Sequence, residues 1–138
     1  MKKLILISLV IFFAIFSKSW ASDLNGKSLH CLTEEEHLRD VYLIGERMFI
    51  FQDDEIAEII VRNYDPPAPT ITKNVPYNVT VEKITFENHT LWRKTGRIFT
   101  STGVYYQCDV FNEGMKSLTP IIKKIIEKYQ KEIKKNKI

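Results

Sequence analysis

The sequence predicts a mainly β fold: one small antiparallel sheet, curled or closed into a barrel, followed by a single C-terminal amphipathic helix. Three observations carry this. Residues 91–111 hold two turn signals, Thr95-Gly96 and Thr102-Gly103, between runs of β-branched and aromatic residues, the pattern of a three-stranded meander. Upstream, short apolar runs are bounded by Gly, Asn, Asp and Pro. After Gly114 the apolar spacing changes from a strand period to a helical one.

The ends of the chain set its address and its charge. Lys2 and Lys3 precede an apolar run, residues 4–16, and Ser19-Trp20-Ala21 supplies small residues where a signal peptidase reads. Residues 1–21 therefore read as an export signal cleaved after Ala21, with an uncleaved membrane anchor as the rival. Cleavage leaves 117 of the 138 residues, enough for one domain. It also removes Lys2, Lys3 and Lys18 from the 20 basic residues, leaving 17 against 17 acidic ones. A neutral chain has no electrostatic footprint for nucleic acid. The charge is unevenly placed, however: from Met115 onward eight lysines face two glutamates, a balance of +6, so residues 22–114 carry −6.

Taken in order, Asn25-Gly26 turns into a strand at residues 28–32, with Leu29 and Cys31 on one face and His30 and Leu32 on the other. Residues 33–40 are too polar for core and read as a helical turn capped by Thr33 or a solvated loop. Residues 41–44 and 47–51 read as two strands meeting at Gly45-Glu46. After the polar break at Gln52-Asp53-Asp54-Glu55, residues 56–64 form a strand with Ala57, Ile59 and Val61 on one face and Glu58 and Arg62 on the other; Ile-Ile-Val favours strand over helix. Pro66, Pro67 and Pro69 make a stiff connector that stops regular pairing, read as a crossover within the sheet. A strand at residues 77–81 continues through 84–86 after a kink at Glu82-Lys83, and residues 87–90 turn into the meander. In its last strand Val104, Tyr106, Cys108 and Val110 share one face. Thr119 is a fair N-cap with Pro120 in the first helical position, and Ile121, Ile122, Ile125, Ile126, Tyr129 and Ile133 form the apolar stripe of a lysine-rich helix. The domain thus divides into a β part, residues 22–114, and a helical tail, residues 115–138.

Two cysteines in an exported chain are most simply one disulfide, Cys31 to Cys108, joining first strand to last. Over a separation of 77 residues, chain entropy puts such a bridge at roughly 4 kcal/mol. His30, His37 and His89 lack paired ligand spacing, and no metal site is expected. Asp53-Asp54-Glu55 lacks the ligand alternation of a calcium loop and reads as an acidic hairpin tip. Ser101 and Ser117 have no His–Asp companions, so no nucleophile, no catalytic residue and no cofactor are nominated. Asn78-Val79-Thr80 and Asn88-His89-Thr90 match the glycosylation sequon, which matters only in a eukaryotic host.

The basic tip Arg93, Lys94 and Arg97 has two readings: an anionic-partner contact, or charge that blocks association at a sheet edge. A two-residue turn at Thr95-Gly96 would oppose Lys94 to Arg97; a three-residue loop would oppose Arg93 to Arg97. The helix likewise either docks its apolar stripe on the sheet or lies on an anionic membrane surface.

The turn from Arg93 to Ile98, followed by Tyr106-Gln107-Cys108, resembles a pattern in small exported bacterial proteins of unknown function, which have a signal peptide, an early cysteine, an antiparallel sheet and a late Arg-x-Thr-Gly hairpin before a second cysteine. The matching positions are Cys31, Arg93, Thr95, Gly96 and Cys108, and the resemblance implies no activity. Ser101-Thr102-Gly103-Val104-Tyr105 is similar to the Ser-Gly-x-x-Tyr loop of periplasmic inhibitors of C-type lysozyme, which are small disulfide-bearing β-barrels, with a shorter spacing to Cys108. The expectation is a periplasmic or secreted, non-enzymatic binding or interaction protein. In one form a lipocalin-like sheet holds a small apolar ligand against Val104, Tyr106 and Val110, with Trp92 near the mouth. In the other, the basic tip and tail bind an acidic protein or envelope surface, as an inhibitor would.

Overall fold

A computed structural model describes residues 23–136; the expected signal peptide, its cleavage point and the rival anchor lie outside them. The fold is mainly β. Its strands are β1 (Ser28–Thr33), β2 (Glu46–Gln52), β3 (Glu55–Arg62), β4 (Ala68–Ile71), β5 (Val75–Pro76), β6 (Asn78–Val79), β7 (Lys83–Phe86), β8 (His89–Trp92), β9 (Arg97–Phe99) and β10 (Tyr105–Phe111), followed by helix α1 (Met115–Lys135). All pairings are antiparallel, in the order β4-β3-β2-β1-β10-β9-β8-β7-β6, with β5 beside β3.

That order curls. Only Tyr77 separates β5 from β6, yet these two strands pair at opposite ends of the sheet. The chain therefore draws the two ends together into a half-barrel. Side chains from strands far apart in the order meet across the concave face: Phe49 and Phe86 rings lie 5.4 Å apart, and Phe51 and Tyr77 rings 5.3 Å. Leu29, Phe49, Phe51, Ile56, Ile98 and Tyr106 are buried there, with the Cys31–Cys108 disulfide among them. Cys31 and Cys108 are directly opposite in the β1–β10 register, as the shared apolar face of each strand required.

The helix covers the convex face. Met48, Ile59 and Val61 of the sheet pack with Leu118, Ile122 and Tyr129, and Ile121, Ile125 and Ile126 are half-buried beside them. The apolar stripe is thus occupied by the sheet, and the lysines lie outside. Leu118 is fully buried and draws the helix start back to Met115, with Gly114 at the cap position. Pro120 consequently sits inside the helix rather than at its first position, and the Thr119 hydroxyl donates to the Met115 carbonyl. The expected start at Thr119 failed because residues 115–118 were read without the sheet they pack on.

Four other expectations are corrected. Residues 41–44 form a tight turn, not a strand: the Gly45 N–H donates to the Val41 carbonyl and Leu43 has φ 67°. Residues 33–40 include a 3-10 turn, Glu36–Leu38, with Glu35 at its cap; Thr33 is not the cap, though its hydroxyl accepts from the Glu35 N–H. The prolines do not end pairing, because β4 resumes at Ala68 and Pro69 sits opposite Val61 on an edge strand, where its missing N–H removes no ladder bond. Finally, Glu82-Lys83 is a reversal rather than a kink, since Asn78 pairs with Thr85 and Val79 with Ile84. The turns at Asp53-Asp54 and Glu87-Asn88 are two-residue hairpin loops with both residues at positive φ, a conformation that Asp53, Asp54 and Asn88 tolerate and Glu87 adopts beside them.

Candidate functional site

Three regions hold side chains that could act on another molecule. The first is the end of the half-barrel near the β8–β9 turn. Leu29, Phe51, Ile84 and Leu91 close off its floor, and Trp92, Val110, Lys27 and Arg93 stand at its rim. Trp92 and Val110 are exposed although both are large and apolar. The recess is about 150 Å³, half of the roughly 300 Å³ at which drug-sized pockets begin, and enough for one benzene-sized group. Of the four residues expected to hold a ligand, Trp92 and Val110 line this recess. Tyr106 is buried deeper in the core, and Val104 packs against that core from the other end of β10. The middle of the concave face is filled by Phe49, Phe51, Phe86 and Tyr106. The recess is therefore shallow, not a deep calyx.

The second region lies in the concave face where the two ends of the sheet approach. Arg47 and Glu58 form a bidentate pair, Nε to Oε1 at 2.7 Å and Nη2 to Oε2 at 2.8 Å. The guanidinium sits 5.3 Å from the Phe49 ring centroid and 5.8 Å from that of Tyr106. Burial opposes the Arg47 charge, but the Glu58 partnership outweighs it and holds the guanidinium above its ordinary pKa. Tyr106 donates its hydroxyl to the Ile44 carbonyl at 2.5 Å, and burial raises its pKa. His89 Nδ1 accepts from the Ser101 N–H at 3.2 Å; burial, then Arg47, lowers its pKa and keeps the ring neutral. A slot between Glu58 and Thr72 on one side and Phe86 and His89 on the other has about 20 Å³ of room, one water's worth. Arg47 and Glu58 retain 15% and 20% side-chain exposure, and their pairing ties β2 to β3.

The sequence reading missed the Arg47–Glu58 pair. A signal was present: the two-residue turn at Asp53-Asp54 puts Glu58 opposite Phe49, one diagonal step from Arg47 on the same face.

The third region is the basic tip. Trp92 pairs with Arg97, so the loop has four residues, 93–96, and neither anticipated register occurs. Gly96 takes φ 69° to close it. Arg97 is engaged: its Nε lies 2.8 Å from Glu34 and its guanidinium 3.9 Å over the Tyr105 ring. Arg93 donates to the Thr80 carbonyl at 3.1 Å, while Lys94 is exposed on the loop. The three residues share a loop but not a common anion-binding cavity.

Of the other candidates, Asp53 and Asp54 form a hairpin tip, with Asp54 bonded to the Asn25 side chain. His30 contacts Glu46 and His37 contacts Glu35. Among the described residues no group of three His, Cys, Asp or Glu converges as a metal site, and no helix is long and apolar enough to cross a membrane. No protein-family model, curated protein or solved structure matches the chain.

Proposed function

We propose that this is an exported, periplasmic, non-enzymatic binding protein that takes the small apolar end of an anionic amphiphile in the recess beside Trp92. The disulfide supports an oxidising compartment. The observation that carries the binding reading is the recess itself: a floor of buried aliphatic and aromatic carbon under exposed Trp92 and Val110, with Lys27 and Arg93 as the charged rim. Exposed apolar residues over a preformed recess are the ordinary composition of a ligand site, and a cationic rim suits a carboxylate or phosphate head. The inhibitor reading has less support, because Glu34 neutralises Arg97 in the basic tip.

Trp92 is the sole tryptophan of residues 22–138, so its emission reports the recess directly. Titrating that chain with a medium-chain fatty acid should give a saturable blue shift. Val110→Asp should abolish it by placing a charge on the apolar rim, and Arg93→Gln should weaken it. No saturable change, or an identical one in Val110→Asp, would refute the proposal.

A further inference from the structure

At the opposite end of the half-barrel, the β1–β2 connection places four large apolar residues in a row in solvent: Val41 is 41% exposed, Tyr42 38%, Leu43 47% and Ile44 40%. They are not a frayed segment. The turn is closed by the Gly45 N–H to Val41 carbonyl bond at 2.8 Å, and a Cβ at Gly45 would lie 2.1 Å from the Arg39 carbonyl, so the backbone folds tightly on itself. The turn is also held on α1. The Tyr42 and Tyr129 rings meet edge-to-face at 4.7 Å, and Lys128 Nζ lies 3.4 Å from Asp40. That contact joins the apolar turn to a lysine stripe: Lys124, Lys128, Lys131 and Lys135 recur at helical spacing and are all exposed. Because the helix spends its own apolar face on the sheet, it has none left to insert into lipid.

We infer that this end of the molecule docks on an anionic lipid bilayer, the turn at residues 41–44 entering the headgroup region while the lysine stripe lies along the surface. Aromatic and aliphatic side chains beside a basic face are what interfacial binding needs. Acidic residues share this end: Glu127 and Glu132 lie among the helix lysines and Glu36 is exposed, while Glu34 meets Arg97 and Asp40 meets Lys128. The four lysines of the stripe outnumber the two glutamates between them. This inference is independent of the recess at the Trp92 end.

The test is flotation of residues 22–138, which contain the whole described sheet and helix, with phosphatidylglycerol-rich or pure phosphatidylcholine vesicles. Binding should favour the anionic vesicles and weaken with salt. Leu43→Asn/Ile44→Ser, in which Asn suits the positive φ at residue 43, should lower partitioning about tenfold by removing inserted carbon. Lys124→Gln/Lys131→Gln/Lys135→Gln, which leaves the Lys128–Asp40 contact in place, should lower it about fivefold per lysine. This second variant keeps the test decisive if the first folds poorly by circular dichroism. Absence of binding, equal binding to both vesicle types, binding that neither variant alters, or burial of the turn in a dimer seen by sedimentation without lipid would overturn the inference.

Discussion

Replacing Glu58 by Gln strips the charge from one half of the bidentate pair and leaves the Arg47 guanidinium in the concave face without its counterion. A fully buried pair broken this way loses about 3–5 kcal/mol. Here the side chains retain 15% and 20% exposure, so solvent recovers part of the loss and about 2–3 kcal/mol is expected. With a urea dependence of about 1.5 kcal/mol per molar for a domain this size, the unfolding midpoint should fall by about 1.3–2 M. Arg47→Met/Glu58→Leu removes both charges and fills the same volume with carbon. It should recover to within about 1 kcal/mol of the parent, because no charge then lacks a partner. Equilibrium urea unfolding of the parent, Arg47→Met, Glu58→Leu and Arg47→Met/Glu58→Leu closes a cycle that measures the coupling directly. A Glu58→Gln midpoint within about 0.3 M of the parent, or a double variant as weak as the sum of the singles, would refute the reasoning.

Two further outcomes follow from named contacts. Cys31→Ala/Cys108→Ala frees a loop spanning 77 residues and should lower stability by roughly 4 kcal/mol, or the thermal midpoint by about 15 °C; calorimetry showing less than about 4 °C would remove the bridge from the main supports of the fold. His89 has its folded pKa lowered, by burial first and Arg47 second, so the unfolded chain binds the proton more readily. Stability should therefore rise with pH up to the unfolded value near 6.5, stay level above it as far as this group is concerned, and be lost as pH falls below it. His89→Gln should flatten that slope relative to the parent just below the unfolded value of about 6.5, and an unchanged slope would exclude His89 as its source.

How much was legible depended on whether each feature is local. The meander could be read because Gly96 and Gly103 carry positive φ at its two turns and the flanking residues alternate. Residues 41–44 misled for the same reason. Val-Tyr-Leu-Ile has the composition of a strand, but Leu43 adopts a left-handed conformation in a turn docked on Tyr129. The recess was half legible: Val110 was expected to face the ligand and Trp92 to stand near the mouth, whereas Leu24, Lys27 and Ile84 join them only through the curl. The loss of Arg97 from the basic tip to Glu34, 63 residues away in sequence, left no local trace.

The sequence alone determined the helix period, which residues share a face along each strand, and the partnership of two cysteines lying on the apolar faces of the first and last strands. Those properties follow from side-chain alternation and helical spacing, which each segment carries by itself. Tertiary structure alone decided that β5 and β6 seat at opposite ends of one sheet, that the helix begins at Met115, that Glu34 takes Arg97 from the basic tip, and that four apolar residues remain in solvent. Each of these is set by which distant surface a segment meets, and the same segment would be satisfied locally by more than one answer.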